Sequence, residues 1–564
     1  MVGEIVESQD SAAASSRAAA RLSRRTMLRL TAFAAAAAPT LGELVSAPAA
    51  HAEGGGGGGG DDNGGNAGEL VEVSIAQLQA SMAARELSSR EITSGYIERI
   101  RRLDPKLHAV IEVNPDALSI AEALDKERQS GKVRGPLHGI PILLKDNIDT
   151  ADKTHTTAGS LALAGTQPAQ DATVAKLLRD AGAVVLGKAN LSEWANFRST
   201  HSSSGWSGRG GQCGNPYILD RNPCGSSSGS GAATAASFAA AALATETDGS
   251  IVCPASHCAL VGIKPTVGLT SRGGVIPISH TQDTIGSHGR TVADAAAVLT
   301  AIAGVVDPRD GATSINAGKT RLDYTKFLDA KALKGAKIGI ARDQGFGISE
   351  KTDAIMDTAI AAIKQAGATI IDGLNITELE SPTTGNSEFT VLLFDFKQDV
   401  AAYLKSRSGG PKTLQDLIDF NNANAARELK FFGQEIFLQA QATDGFGDPA
   451  YATALADSQG KSRAALQKLF ADHQLDAIIG PTNSPAWTTD LVNGDHFELA
   501  STGPAARAGY PLVTVPAGFT FGLPVGLTFM GLAFSEPTLI KLAFAFEQAT
   551  KVRQAPKFMP TLPT

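Results

Sequence analysis

Short apolar segments alternate with helix-type patterns along most of this chain. Residues 140–144, 184–186, 337–341, 369–371 and 476–480 are short apolar runs, which favour buried strands. Between them, apolar positions recur at a helical period. This alternation predicts an α/β fold with a central, mixed and mostly parallel sheet covered by α-helices on both faces.

The first helices are marked by two capping-box patterns. Ser74 with Gln77, and Ser88 with Glu91, each precede an apolar-periodic stretch. The glycine run at 54–60 and the polar residues after it cannot pack, so 53–70 is predicted to be a flexible linker. We expect ordered structure to begin near Val71.

The rest of the chain is predicted to form one domain, residues 71–564. A second domain beginning near Lys334 is the alternative, but the strands at Ile478 and Val513 return late and would complete the same sheet. Residues 385–460 have the pattern of long amphipathic helices with a Gly-rich break at 445–447. These helices either line a substrate pocket or only cover a sheet face, and the sequence leaves both open.

Composition narrows the class of protein. The chain has 564 residues, of which 43% are hydrophobic and 19% charged, so it can bury a large core. Its formal net charge of −7, without a basic cluster in the predicted domain, argues against a nucleic-acid partner. We expect a monomer with no cofactor and no metal.

The N-terminal basic residues have another explanation. Ser23 to Leu28 form a twin-arginine pattern, an apolar stretch follows at 28–39, and Ala50-His51-Ala52 is a cleavage-site pattern. The apolar stretch is shorter than the roughly 20 residues that span a bilayer, which disfavours a stable membrane anchor. Residues 1–52 are therefore predicted to be a signal peptide for export to the periplasm or beyond, and a disordered tail is the alternative.

Two segments carry the candidate chemistry. Residues 223–254 join a Gly/Ser-rich turn, a helix of small residues and a second Gly-Ser turn, which points to a serine nucleophile. Residues 139–150 place one lysine, Lys145, at the end of an apolar run.

These motifs resemble the amidase signature family. Its members carry a lysine in a GxPxxxKDN stretch, a serine in a Gly-Ser-Ser turn and a second serine 24 positions later, which match Lys145, Ser226 and Ser250. The likeness runs from about Val73 to the C-terminal region and includes GIKPTVGL at 262–269 and the strands LVTVPAGF and PVGLTFM. Within the family it is greatest to bacterial peptide amidases, whose turns read like PCGSSSGS and TETDGSIVCPA.

The resemblance implies a role for each residue. Ser250 would form the acyl-enzyme, Ser226 would carry protons between Ser250 and Lys145, and the peptide bond of Ser226 would be cis. Further implied residues are the oxyanion-hole amides of Thr247, Asp248, Gly249 and Ser250 and the supporting residues Ser227 and Gly225.

A lysine base must lose its proton near neutral pH. The pKa of a free lysine is about 10.4, so that of Lys145 must fall by about 3, which burial among Ile142, Leu143 and Leu144 would cause. An ordinary ion pair with Asp146 or another acid is the alternative. The alternative for Ser226 is a helix cap, with Ser227 and Ser228 capping or supporting the same turn.

The chain departs from the family next to Ser250. Many members carry Asp four residues before the nucleophile, Gly two before and Arg two after, where this chain has Glu246, Asp248 and Val252. An added acid and a missing cation disfavour a substrate carboxylate. A neutral carboxamide terminus would suit this site better.

Three other motifs compete with the amidase interpretation of this segment: a nucleophile elbow, a phosphate-binding loop and a zinc site. Residues 225–229 also satisfy the G-x-S-x-G nucleophile elbow, which would make Ser227 the nucleophile with a downstream histidine as base. The same loop lacks the lysine of a phosphate-binding loop. Cys253, His257 and Cys258 are candidate zinc ligands, although their spacing fits no closed tetrahedral site.

The four cysteines, at 213, 224, 253 and 258, flank the candidate serines. In an exported protein they would form one or two disulfides, whose pairing the sequence leaves open.

We therefore expect an exported serine amidase that hydrolyses the C-terminal amide of peptides. A broad aryl or aliphatic amide hydrolase is the alternative within the family, and export separates this chain from the related glutamyl-tRNA amidotransferase subunits. A non-catalytic binding protein on the same fold is the alternative from another class.

Overall fold

A computed structural model describes residues 70–381 and 383–563. The predicted signal peptide and nearly all of the predicted linker lie outside the described residues. The described residues belong to one unit, Gly64–Thr564. Among the described helices, none is both long enough and apolar enough to cross a membrane.

The strands are β1 Val110–Val113, β2 Pro141–Lys145, β3 Val184–Ala189, β4 Trp206–Ser207, β5 Gly211–Gln212, β6 Ala241–Glu246, β7 Val261–Lys264, β8 Thr284–Gly289, β9 Lys337–Ala341, β10 Thr369–Leu374, β11 Ala477–Pro481, β12 Leu512–Thr520 and β13 Leu523–Met530. The α-helices are α1 Ile75–Ala84, α2 Ser89–Leu103, α3 Ala117–Gln129, α4 Thr173–Asp180, α5 Ser228–Ala235, α6 Val252–His257, α7 Val292–Ile302, α8 Glu350–Gln365, α9 Thr384–Ser406, α10 Leu414–Ala423, α11 Ala425–Glu428, α12 Glu435–Gln441, α13 Pro449–Leu455, α14 Lys461–His473, α15 Gly503–Ala508 and α16 Glu536–Thr550.

One mixed sheet of eleven strands organises the fold, in the order β1-β3-β2-β6-β8-β7-β12-β13-β11-β9-β10. Parallel strands form two blocks, β3-β2-β6 and β11-β9-β10. Antiparallel strands join the blocks through the middle. Strands from both halves of the sequence thus share one sheet, which confirms the single-domain prediction.

Helices cover the sheet on both sides. Every residue of β2, β3 and β6 is buried, and since side chains alternate between the faces of a strand, both faces are covered. The largest apolar cluster includes the helices flanking these strands. This arrangement explains why the strands read as continuous apolar runs rather than alternating ones.

The first two helices begin where their capping boxes predict. Ser74 accepts from the Gln77 amide, Ser88 accepts from the Glu91 amide, and the side chains of Gln77 and Glu91 each accept a hydrogen bond from the backbone of their cap residue. These reciprocal bonds satisfy backbone donors that a helix start otherwise leaves unpaired.

Candidate functional site

The candidate site lies where the parallel strands β2 and β6 end. Lys145 is the last residue of β2, and Thr245 and Glu246 end the neighbouring β6. Because parallel strands end at the same edge of a sheet, Lys145 and Thr245 meet there. Lys145 Nζ lies 2.8 Å from Thr245 Oγ1 and 3.2 Å from the Thr245 carbonyl oxygen.

Lys145 also contacts the first candidate serine. Its Nζ lies 2.7 Å from Ser226 Oγ, and both residues are fully buried. Burial lowers the pKa of Lys145 to about 7, against the charges of Asp283 and Glu246, which raise it. The amine is therefore partly unprotonated at neutral pH, in agreement with the predicted depression.

The alternative of an ion pair with Asp146 is wrong. The Asp146 carboxylate has other partners: it accepts from Gly159 N–H at 3.3 Å and pairs with Arg209 at 3.4 Å. Across the described residues, Lys145 forms no salt bridge. The apolar strand holds the amine among uncharged oxygens instead.

Ser226 lies in a tight turn before α5. The Gly225–Ser226 peptide bond is cis, as the resemblance implied. A Cβ at Gly225 would lie 2.2 Å from Ser192 Oγ and 3.0 Å from Ser204 Oγ, so a larger residue there would displace the Ser192 hydroxyl, which accepts from Gly205 N–H at 2.8 Å. Ser192 N–H donates to the Ser226 carbonyl at 3.0 Å and fixes the turn from outside.

Ser227 supports this turn and is not placed as a nucleophile. Its hydroxyl donates to the Thr245 carbonyl at 3.1 Å, and its amide donates to the Ser250 carbonyl at 3.3 Å. Within the described residues, no histidine forms a hydrogen bond with the Ser227 hydroxyl. The nucleophile-elbow interpretation is therefore wrong, because this hydroxyl joins the turn to β6.

The helix-cap interpretation also fails. No side chain forms a cap hydrogen bond at the start of α5, and Ser228 Oγ donates to the Cys224 carbonyl at 2.6 Å. The small residues of α5 have a packing reason instead. A Cβ at Gly229 would lie 2.5 Å or closer to two carbonyl oxygens, those of Ala109 and Asn190.

Ser250 lies in the loop that joins β6 to α6. It is 7% exposed, and the preceding Gly249 has a φ of 78°, which favours glycine. The buried carboxylate of Glu246 accepts N–H groups from Gly249, Ile251 and Val252 at 2.9, 2.7 and 3.0 Å. Glu246 therefore organises the loop that carries Ser250.

The predicted oxyanion-hole amides divide into two groups. The Gly249 amide is occupied by Glu246, because that carboxylate reaches back over the loop. In the part of the chain that the structure describes, the amides of Thr247, Asp248 and Ser250 donate to no protein group. These three N–H groups are free to bind an oxyanion.

Three polar residues near the site were not predicted. Thr245 contacts Lys145, and Asn147 Nδ2 donates to Thr245 Oγ1 at 3.0 Å. Asp283 accepts from Thr247 Oγ1 at 2.6 Å, and burial raises its pKa to about 6. Asn147 stands inside the KDN motif and could have been found, whereas nothing in the sequence links the distant Asp283 to this loop.

One disulfide connects the two candidate serine loops. Cys224 and Cys253 are bonded, with their Cα atoms 5.9 Å apart, and Cys213 and Cys258 are buried and free. The zinc interpretation is wrong, because Cys253 is already bonded. The ring nitrogens of His257 also lie within 3.2 Å of the carbonyl oxygens of Asn222 and Ser484.

Two cavities meet at the site. The Ser250 cleft, of about 690 Å³, is lined by Ser250, Asp248, Leu392, Phe497 and Arg507, among others. The Ser226 chamber, of about 620 Å³, has Ser226 in its wall, with Asn147, Ile276, Ala402 and Tyr403.

Both cavities share wall residues Ala195, Thr247 and Ile278. Helix α9 contributes residues to both cavities, so this helix of the predicted 385–460 stretch lines pockets, whereas residues 408–460 stand in neither lining. The walls of the Ser250 cleft come largely from segments that follow β9, β10 and β11, in the other parallel block.

A family model described as Amidase matches residues 91–540. The chain belongs to the amidase signature family. It is therefore a hydrolase that acts on amide C–N bonds.

Individual relatives agree with this assignment. The crystal structure of native peptide amidase from Stenotrophomonas maltophilia is 49% identical, with a TM-score of 0.82, and covers 86% of this chain and 99% of that one. The Arabidopsis thaliana protein named "Probable amidase" is 45% identical over 86% of this chain and 92% of its own length. A putative amidase from Schizosaccharomyces pombe is 38% identical over 87% of this chain and 87% of its own length.

Proposed function

We propose that this amidase hydrolyses the C-terminal amide of peptides to a free acid and ammonia through an acyl-enzyme on Ser250. The observation that carries the proposal is the buried Lys145, with a pKa near 7, in contact with Ser226. The similarity of the whole chain to the solved peptide amidase supports the choice of a peptide amide as substrate.

In the first half of the reaction, Ser250 Oγ attacks the amide carbon. Its proton passes to Ser226 Oγ as the Ser226 proton passes to Lys145 Nζ, and the carbonyl oxygen becomes an oxyanion facing the free amides of the loop. The C–N bond then breaks with its electron pair on nitrogen. Nitrogen takes a proton from Ser226, which regains one from Lys145, and ammonia leaves.

In the second half, water attacks the acyl carbon and loses its proton along the same route. The bond to Ser250 Oγ breaks, Ser250 regains its proton through Ser226, and the acid product is released. Lys145 is unprotonated again at the end, so no cofactor is required.

The charge of the Ser250 cleft supports a neutral carboxamide as the group bound there. One guanidinium, that of Arg507, stands among the cleft-lining residues, and Glu380 binds it at 2.9 and 3.0 Å. The carboxylates of the lining are Asp248, Asp343, Glu380, Asp495 and Glu498. This surplus of negative charge disfavours a carboxylate substrate and favours release of the acid product.

The test is ammonia release from a short peptide amide by the mature chain, with mass spectrometry of the product. Ser250→Ala should lower kcat by at least about 10⁴-fold. The matched control is Ser230→Ala, because that buried hydroxyl donates only to the Leu243 carbonyl at 2.9 Å and should be dispensable for turnover.

Other outcomes would select the alternatives. Turnover of simple amides or anilides without turnover of peptide amides would refute the peptide substrate and favour a broad amide hydrolase. No turnover of any amide, with no labelling of Ser250 by an acyl-serine trapping reagent, would favour a binding protein.

We further propose export through the twin-arginine pathway. The motif around Arg24 and Arg25 supports it, as does the Cys224–Cys253 disulfide, since such bonds persist in oxidising compartments. The double substitution of both arginines by lysine should retain the protein in the cytoplasm on fractionation. An unchanged distribution would contradict export by this route.

A further inference from the structure

The first part of the candidate oxyanion loop is held by residues from outside the loop. In the described part of the chain, the Glu246 carboxylate accepts only N–H groups from Gly249 onward, so it leaves Thr247 unsupported. We propose that Gln282 and Asp283 are positioning residues, which hold Thr247 so that the free amides of this loop face the oxyanion. This inference rests on the proposed acyl-enzyme.

Two different groups of Thr247 are bound by these two neighbouring residues. Its Oγ1 donates to Asp283 Oδ1 at 2.6 Å, which fixes the side chain and with it the Cα. Its carbonyl oxygen accepts from Gln282 Nε2 at 3.4 Å. Because a trans peptide unit is planar, its C=O and N–H point in opposite directions. Holding the Thr247 carbonyl therefore also sets the direction of the Asp248 N–H.

The order of the strands explains why these residues meet. Thr247 directly follows β6, and Asp283 directly precedes β8. The two strands are antiparallel neighbours, with Glu246 paired to Thr284. The end of β6 therefore lies beside the start of β8, although 36 residues separate the two contacting side chains.

The turn that carries both positioning residues, residues 278–283, is itself fixed. Asp283 Oδ2 accepts two N–H groups of this turn at 2.8 and 2.9 Å. Ser279 Oγ and Gln282 Nε2 donate to carboxylates of α9 at 2.6 and 2.9 Å. The turn thus gives Thr247 a support that is bonded to a helix on its other side.

Such a support matters because an oxyanion donor must be aimed before the reaction begins. Removal of one donor lowers kcat by roughly 10²–10³-fold. A tether that only aims the donors has a smaller effect, so its loss should lower kcat/KM at least about tenfold. The loss should fall on the transition state, since the uncharged carbonyl of the bound substrate gains little from these amides.

The test begins with Thr247→Val, which removes the hydroxyl and keeps a similar shape. Its kcat/KM for a short peptide amide should fall at least about tenfold, and Thr247→Ser, which keeps the hydroxyl, should stay within about threefold of wild type. The matched control is Thr325→Val, because Thr325 Oγ1 also donates to an aspartate, Asp323 at 2.5 Å, and lines neither cavity. This control should keep wild-type kcat/KM. The pH profile of Thr247→Val should not move, because the Asp283 charge beside Lys145 remains.

A peptide aldehyde separates positioning from general damage to the cleft. Ser250 Oγ adds to the aldehyde carbon, the Ser250 proton passes through Ser226 to Lys145, and the former carbonyl oxygen becomes an oxyanion. Thr247→Val should raise the aldehyde inhibition constant at least about tenfold. Calorimetry should show that the same change, made in Ser250→Ala, leaves the affinity for the peptide amide unaltered. Gln282→Met should show the same difference with an effect of at least about threefold, and serves if Thr247→Val does not fold.

Three outcomes would overturn the positioning role. They are wild-type kcat/KM in Thr247→Val, equal losses of affinity for aldehyde and peptide amide, and a pH profile of Thr247→Val that moves to lower pH. The last would mean that the contact acts through the charge near Lys145 instead. Absence of peptide-amide turnover in wild type would refute the proposed function itself.

Discussion

Replacement of Lys145 by methionine should make the stability difference between wild type and variant depend on pH. The pKa of this lysine falls from 10.5 when the chain is unfolded to about 7 in the folded protein. At 1.36 kcal/mol per pKa unit, holding the protonated amine in the folded state costs about 5 kcal/mol. Methionine has a similar shape and no charge, so the variant escapes this cost.

The sign follows from proton binding. Between pH 7 and 10.5 the unfolded chain holds the Lys145 proton more tightly than the folded chain, so wild-type stability rises with pH in this range and is constant below it. The integrated gain between pH 7 and pH 9 is about 2 kcal/mol. The methionine variant lacks this contribution, so subtracting its stability removes most effects of other titrating groups.

Urea unfolding at pH 7, 8 and 9 measures the difference. The absolute value at one pH is less informative, because the variant also leaves Ser226 and Thr245 without their contacts to the amine, at about 1–3 kcal/mol for each unpaired group. Lys468→Met is the matched control, since Lys468 is exposed in a salt bridge with Asp472. A wild-type minus Lys145→Met difference that stays constant from pH 7 to 9 would refute a lysine that is unprotonated because it is buried.

Three further results are expected. First, kcat/KM for a peptide amide should rise about tenfold from pH 6 to pH 8 as Lys145 loses its proton. In Asp283→Asn this rise in the pH profile should occur at lower pH, because the Asp283 carboxylate raises the pKa of Lys145. Second, replacing Cys224 and Cys253 by serine should lower the free energy of unfolding by about 3.6 kcal/mol from loop entropy, since the bond spans 29 residues, and calorimetry with and without reductant would measure it. Third, Gly225→Ala should lower kcat by at least about 100-fold, because its Cβ would displace the Ser192 hydroxyl from Gly205 and shift the turn that carries Ser226. Steady-state kinetics would measure this loss.

Each of these has its own contrary outcome. If kcat/KM of Asp283→Asn rises over the same pH range as that of wild type, a group other than Lys145 controls the pH dependence of the rate. Equal melting temperatures for the double serine variant and the oxidised wild type would mean that the disulfide does not stabilise the fold. For the glycine, Gly447→Ala is the matched control, since a Cβ there meets nothing within 4 Å, and equal activity of Gly225→Ala and this control would contradict the steric argument.

The sequence predicted the parts of the fold that rest on local signals. Capping boxes placed the first helices, and apolar runs placed strands of both parallel blocks. The antiparallel strands in the middle of the sheet were less accessible, because pairing between distant segments such as β7 and β12 leaves no periodic signal of its own. The resemblance, rather than periodicity, brought Lys145 and Ser226 together before the structure did.

The parts of the candidate site that were missed depend on tertiary contacts. Asp283 reaches Thr247 from a loop 36 residues away, and no spacing rule connects them. Occupation of the Gly249 amide by Glu246 depends on the side chain folding back over its own loop. Likewise, which two of the four cysteines form a disulfide depends on the distance between the two serine loops, and the sequence does not contain that distance.

The division of the site between the two parallel blocks has a consequence for how this protein can change. Lys145, Ser226 and Ser250 all belong to the block formed by β3, β2 and β6, whereas most walls of the Ser250 cleft follow β9, β10 and β11. Substitutions in those distant segments can alter which acyl group is accepted while the proton-transfer groups keep their positions. Mutant libraries confined to residues 343–348 and 497–500 should therefore yield altered selectivity with few inactive members, because this range leaves out Asp495 and Thr502, which bond to Ser204 and Asp248. Natural divergence can take the same course.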